Sequence, residues 1–161
     1  MLAVVAFALI AASAQAQSPA PNDGLDATLW TQTSVEYRAN AIGMYKLAQT
    51  MLDRALDDKS WTAAPAEQTG AYQNKPPAVV LDLYETVLDN SPYHAWAVHN
   101  DQCYSSKTWV PFVRSEQSRA IPGSLEFIEY ARGKGVRVFY LSNRAASQEA
   151  AMIRSLVASK S

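Results

Sequence analysis

Residues 78–93 read AVVLDLYETVLDNSPY, and the opening of this stretch decides what kind of sheet the chain builds. Ala78-Val79-Val80-Leu81 is a short, unbroken apolar run rich in β-branched residues. Such a run predicts a strand buried on both faces, as in parallel sheets covered by helices on either side. Lys75-Pro76-Pro77 stands just before it, at the end of an Ala-, Gln- and Pro-rich stretch over 60–77. Prolines cannot donate to a helix or a sheet ladder, so that stretch reads as a connector. Asp82 terminates the strand.

A second run of the same kind, Val136 to Leu141 (VRVFYL), ends at Ser142-Asn143-Arg144. Before it, Pro122-Gly123-Ser124 opens a helix with Leu125, Ile128 and Ala131 on its apolar side and Gly133 and Gly135 near its end. A last helical segment is expected over 145–158. From Asp82 to Ile121 no period dominates, and the stretch holds Tyr84, Tyr93, Trp96, Tyr104, Trp109 and Phe112. A long irregular segment after a buried strand often builds a binding site. Strand, excursion, helix, strand, helix is an α/β order with parallel strands. Two strands do not make a stable parallel sheet, so the chain reads as part of a domain.

Upstream, Trp30, Tyr37, Ala41, Tyr45, Ala48, Leu52 and Leu56 recur at spacings of three, four and seven. This predicts one amphipathic helix over about 28–59, capped by Asp26 or Thr28, with Glu36, Arg38, Lys46 and Arg54 on the solvated face. Residues 17–27 (QSPAPNDGLDA) predict a flexible leader. Residues 1–16 begin with an uncharged apolar run and end in Ala14-Gln15-Ala16, the small-residue pattern of a signal-peptidase site. An exported protein, periplasmic or secreted, is expected; the run is too short for a stable membrane anchor.

The chain has 161 residues and a formal net charge of −1, which gives no electrostatic reason to expect a nucleic-acid polymer as partner. Cys103 is the sole cysteine, so no disulfide forms within the chain and its reading is a small buried hydrophobe. His94 and His99 lie five apart, off any shared helical face and with no zinc pattern, and read as surface or capping residues.

Ligands of open parallel sheets bind beyond the carboxyl ends of the strands. Asp82 and Ser142 sit at two such ends. A carboxylate there can be a nucleophile toward phosphorus, and a hydroxyl with nearby backbone N–H groups can hold phosphate oxygens. Both residues also suit ordinary helix or turn caps.

The motifs narrow this choice. Asp82-Leu83-Tyr84-Glu85-Thr86-Val87-Leu88-Asp89-Asn90-Ser91-Pro92-Tyr93 resembles the first motif of the class C acid phosphatases of the haloacid dehalogenase superfamily, and Phe139-Tyr140-Leu141-Ser142-Asn143-Arg144 resembles their second. Ile121-Pro122-Gly123 and the Trp30…Glu36-Tyr37 helix match the same family, and the resemblance spans roughly residues 27–158. It implies an α/β, haloacid-dehalogenase-like (Rossmann-type) parallel sheet with an N-terminal helical segment. It also implies a hydrolase of small phosphomonoesters, including nucleoside 5′-monophosphates. In that scheme Asp82 forms an aspartyl-phosphate, and Ser142 and Asn143 hold the phosphoryl group. Mg2+ takes the Asp82 carboxylate and the Tyr84 backbone carbonyl, completed by a later carboxylate. Tyr93 and Trp96 either stack on the leaving group or pack within the excursion.

Two departures stand out. The family carries a second aspartate, its general acid/base, where this chain has Tyr84, and a phenol with a pKa of about 10 is a poor base at acidic pH. The family's later lysine and acidic residues, with its C-terminal strands, lie past the point the sequence reaches, so residues 28–161 read as an incomplete acid phosphatase domain. The expectation is an acid phosphatase impaired at Tyr84. Its alternatives are a non-catalytic phosphate-binding or storage-type relative and a remnant that does not fold alone.

Overall fold

The computed structural model describes residues 23–159; the expected signal segment and the first part of the leader lie outside them. The order is α1 (Asp23–Thr33), α2 (Val35–Asp57), β1 (Ala78–Asp82), β2 (Leu88–Asp89), α3 (Ser91–His99), α4 (Ser106–Ser115), β3 (Arg119–Ala120), α5 (Ser124–Gly133), β4 (Arg137–Leu141), a short 3-10 turn (Ala146–Gln148) and α6 (Glu149–Ala158). No helix among the described residues is long and apolar enough to cross a membrane.

The upstream stripe holds from Tyr37 to Leu56 but fails at Trp30, which is 49% exposed, and it is divided between two helices. Tyr37, Ala41, Tyr45, Ala48 and Leu56 are half-buried and Leu52 buried, whereas Glu36, Arg38, Lys46 and Arg54 are exposed. Ser34 breaks the run: its backbone is extended, and its hydroxyl accepts from the Tyr37 N–H at 3.0 Å as the N-cap of α2. That bond satisfies a donor which the first turn of a helix leaves unpaired. Asp26 and Thr28 are therefore not caps; they lie inside α1, where the Thr28 hydroxyl donates back to the Gly24 carbonyl at 2.7 Å. The leader reading fails for residues 23–27, which are already helical.

β1 and β4 pair in parallel, with Ala78 opposite Arg137 and Asp82 opposite Leu141. The crossover between them carries the whole excursion and α5. One face of this sheet is covered: Val79, Leu81 and Val138 pack with Leu52, Phe127, Ala131 and Val136. The other face departs from expectation. Val80, Phe139 and Leu141 are 63%, 51% and 69% exposed, because no described element packs on that side of the two strands.

The supposedly irregular excursion is ordered. It leaves through β2, forms α3 and α4, and returns through β3, which pairs antiparallel with β2 (Leu88 opposite Ala120). α3 carries Pro92 in its first turn, where a missing N–H goes unnoticed. α4 is capped by Ser105, whose hydroxyl accepts from the Thr108 N–H. Leu83, Val87, Leu88, Tyr93, Trp109 and Val113 form the core beneath these helices. Gly123 enters α5 at φ +89, and a Cβ there would stand 3.1 Å from Tyr45 Cβ and 3.2 Å from Ile42 Cα. Glycine is thus required both by the left-handed backbone and by the close passage of α2.

Candidate active site

The register of β1 and β4 brings Asp82 and Ser142 to the same end of adjacent strands, Asp82 beside Leu141 and Ser142 one residue further on. Paired strands lie about 4.8 Å apart, so the backbones of the two residues stand close together at that end of the sheet. Asp82 is exposed, and its Oδ1 accepts from the Leu83 N–H at 2.7 Å. The Ser142 hydroxyl is buried and has no hydrogen-bond partner. Asn143, beside it, is exposed.

The chain after Asp82 folds into a tight loop whose backbone is held from several sides. The N–H groups of Val87 and Leu88 donate to the Leu83 carbonyl at 2.9 and 2.8 Å, and Glu85 N–H donates to the Leu88 carbonyl at 2.8 Å. From outside, the Tyr45 hydroxyl donates to the Thr86 carbonyl. The Val87 carbonyl accepts from both Ile121 N–H at 2.9 Å and the buried Ser124 hydroxyl at 3.2 Å. A buried loop is tolerable only when its backbone groups are paired in this way. The consequence is a rigid mount for Asp82.

Glu85 takes a left-handed conformation, φ +56. The residue is exposed as a whole, yet its carboxylate turns inward and accepts from Asn90 N–H at 3.2 Å. Desolvation of that end raises its pKa, and nearby Asp89 adds to the rise. Beside it a cleft of about 680 Å³ opens between α1 and α3, lined by Thr28, Glu85, Ser91, His94, Asp101 and Tyr104 among others.

Tyr84 is 8% exposed and part of the core. Its ring meets Trp109 edge-on, centroids 5.2 Å apart, and the Arg144 guanidinium lies over it at 5.3 Å. Its hydroxyl is buried with no partner. Burial raises the pKa of this phenol, the Arg144 charge opposing, so it stays neutral through the acidic and neutral range.

Tyr93 and Trp96 part ways. Tyr93 is 1% exposed; its ring packs against Trp109, Phe112 and Tyr104, and its hydroxyl bonds Thr108 Oγ1 at 2.9 Å. It is committed to packing. Trp96 stacks on Tyr93 and remains 42% exposed, so it keeps surface for a ligand. His94 and His99 are exposed, in line with the surface reading. Cys103 is exposed rather than buried, because it lies in the open turn between α3 and α4, away from the core side of either helix.

Arg144 was read only as the end of a motif, and it is more than that. Its Cζ sits 4.4 Å from the Trp109 ring centroid, and its Nη1 donates to Tyr104 Oη at 3.0 Å. It joins the loop after β4 to α4, through Trp109, and to the turn before α4, through Tyr104. The only sign of it in the sequence was a cation following Ser142-Asn143 in a chain rich in excursion aromatics.

Among the described residues, no three His, Cys, Asp or Glu side chains gather as a metal site. Magnesium takes about six oxygen ligands. Asp82 and the Tyr84 carbonyl supply two, so the described residues do not fit a complete magnesium site.

The profile of the family described as HAD superfamily, subfamily IIIB (Acid phosphatase) matches residues 5–160. Two solved structures of the class C acid phosphatase from Bacillus anthracis, one with tungstate bound, align at 38% identity with TM-scores of 0.71 and 0.70. Each match covers 84% of this chain and 52% of the relative, so the chain spans about half the length of these relatives. A family match across nearly the whole sequence, with the same fold at that identity, shows that the chain belongs to the acid phosphatases of HAD superfamily subfamily IIIB.

Proposed function

We propose that this chain carries the nucleophile-bearing part of an exported acid phosphatase acting on small phosphomonoesters, nucleoside 5′-monophosphates among them. The observation that supports this most is the parallel register that sets Asp82 and Ser142 side by side at the carboxyl ends of β1 and β4. An Asp82 carboxylate oxygen attacks phosphorus; the new acyl phosphate P–O bond forms as the ester P–O bond breaks. The Ser142 hydroxyl and Asn143 orient the phosphoryl oxygens. The leaving alkoxide takes a proton, and water then cleaves the acyl phosphate, returning the carboxylate and releasing phosphate. Trp96 and the cleft beside Glu85 offer surface to the leaving group. Magnesium, supplied in solution, would contact Asp82 and the Tyr84 carbonyl and neutralise phosphoryl charge, with its other ligands drawn from outside the described residues.

The test is release of p-nitrophenol from its phosphate ester in magnesium buffer. Turnover in the unsubstituted chain, lost in Asp82→Asn, is expected; turnover that survives the substitution refutes the assignment of the nucleophile. A second reading, phosphate binding without turnover, is favoured by Tyr84, whose neutral buried phenol replaces the family's acid/base carboxylate. Calorimetric phosphate binding in a chain with no turnover would select it.

A further inference from the structure

Four buried polar side-chain atoms lack a hydrogen-bond partner: Tyr84 Oη, Trp109 Nε1 and Arg144 Nε, on side chains in mutual contact, and Ser142 Oγ, two residues before Arg144 in the chain. The Arg144 guanidinium lies 4.4 Å from the Trp109 ring and 5.3 Å from that of Tyr84, the two rings touch, and Ser142 belongs to the same loop as Arg144. The chemistry of the four atoms is one-sided. An indole N–H and a guanidinium N–H can only donate, and the two hydroxyls are free to donate. Buried donors of this kind are satisfied in folded proteins with few exceptions, and leaving one unmet costs about 1–3 kcal/mol. A group that answers all four at once must carry several acceptors.

The charge points the same way. Arg144 brings a guanidinium cation, and no ion pair among the described residues involves it. Three aromatic rings hold it in place, Trp109, Tyr84 and Tyr104, the last also through a hydrogen bond at 3.0 Å. A fixed cation ringed by unmet donors is built for an oxyanion, and charge-assisted bonds from guanidinium to phosphate are among the strong ones.

We infer that Tyr84, Trp109, Ser142 and Arg144 form a donor-lined oxyanion site, with Arg144 as its positive centre, and that it receives the phosphate group handled in the function proposed above. The inference rests on that reading for its ligand. It gives Tyr84 a role as hydrogen-bond donor in place of the proton transfer its position suggests. It also explains why a half-buried arginine is held against aromatic rings just past the tip of β4.

The experiment follows the indole N–H resonances of the 15N-labelled full chain during titration with orthophosphate, and with tungstate as a second probe. Trp109→Phe identifies the Trp109 signal by its loss. That signal is expected to move saturably with either anion. In calorimetry, Arg144→Gln should weaken phosphate binding by roughly 10- to 100-fold, the effect of losing a charged hydrogen bond, and Arg144→Lys should recover only part. A Trp109 signal unmoved at high phosphate overturns the inference, as does an unchanged affinity in a folded Arg144→Gln. If Arg144→Gln does not fold, the indole titration of the unsubstituted chain decides alone. Asp82-dependent turnover without the indole response sinks this inference and leaves the function standing. The indole response without turnover does the reverse.

Discussion

Replacing Tyr84 with phenylalanine removes a single oxygen atom from the core, and its effect can be worked out from the structure. The ring keeps its place: it is 8% exposed and its contacts with Trp109 and Arg144 are made by the aromatic face and edge. What goes is a buried hydroxyl with no hydrogen-bond partner. Such a group, stripped of water and unpaired, costs about 1–3 kcal/mol. Without phosphate, Tyr84→Phe should therefore raise stability by about 1–2 kcal/mol. For a domain of this size 1 kcal/mol moves Tm by roughly 4 °C, so a rise of roughly 4–8 °C is expected in a thermal melt followed by far-UV circular dichroism in phosphate-free buffer.

The pH dependence adds a second signature. Burial raises the Tyr84 pKa above its ordinary value. The buried neutral phenol is thus tolerated fully below about pH 10, and stability falls as pH rises from there through the folded-state value. Tyr84→Phe should lessen this alkaline loss, leaving the part due to Tyr37, Tyr45 and Tyr140, whose pKa values burial also raises. With saturating phosphate the ordering should narrow or reverse, because the hydroxyl then has an acceptor. A drop in Tm of several degrees in phosphate-free buffer would refute the reasoning, since it would mean the hydroxyl is already bonded.

Other substitutions probe separate parts of the argument. Tyr84→Asp restores a carboxylate at the acid/base position; turnover of a phosphomonoester should rise by about 10²–10⁴-fold, with a stability loss of about 3 kcal/mol from the emptied core, and no gain in a folded protein would show the position misassigned. Gly123→Ala should lower stability by more than about 1 kcal/mol, since the backbone is left-handed and a Cβ meets α2 at 3.1 Å; an unchanged denaturation midpoint in urea would contradict the packing described. Ser34→Ala should cost about 1 kcal/mol by removing the cap of α2, read in the same urea titration, and a neutral result would mean that the break between α1 and α2 is maintained by packing instead.

Much of the fold was legible along the chain because it rests on local signals. Unbroken β-branched runs marked β1 and β4, Pro122-Gly123-Ser124 marked the start of α5, and the stripe from Tyr37 to Leu56 marked the buried face of α2. Each signal lies within one element, where periodicity and turn chemistry act directly. The break at Ser34 escaped notice because the stripe runs through it without a Gly or Pro. The helices of the excursion escaped for a different reason. α3 buries Tyr93 and Ala97 but exposes Trp96, so it shows no clean helical period, and α4, although Trp109, Phe112 and Val113 share one face, carries Pro111 in its interior, a residue that argues against a helix.

The candidate site divides along the same line. Asp82 and Ser142 were visible as the residues that follow two short apolar runs, because strand ends and ligand sites coincide in parallel sheets. The sequence by itself thus determined the parallel α/β order, the place of Asp82 and Ser142 at strand ends, and the family motifs. Only the tertiary structure decided that Tyr84 sits in the core, that Tyr93 is consumed by packing while Trp96 is not, and that Arg144 lies caged by rings from α4, the turn before it and the loop after β1. Those outcomes depend on contacts between residues about 10 to 60 positions apart, whose partners are chosen by how helices and sheet come together, and no local pattern encodes that choice.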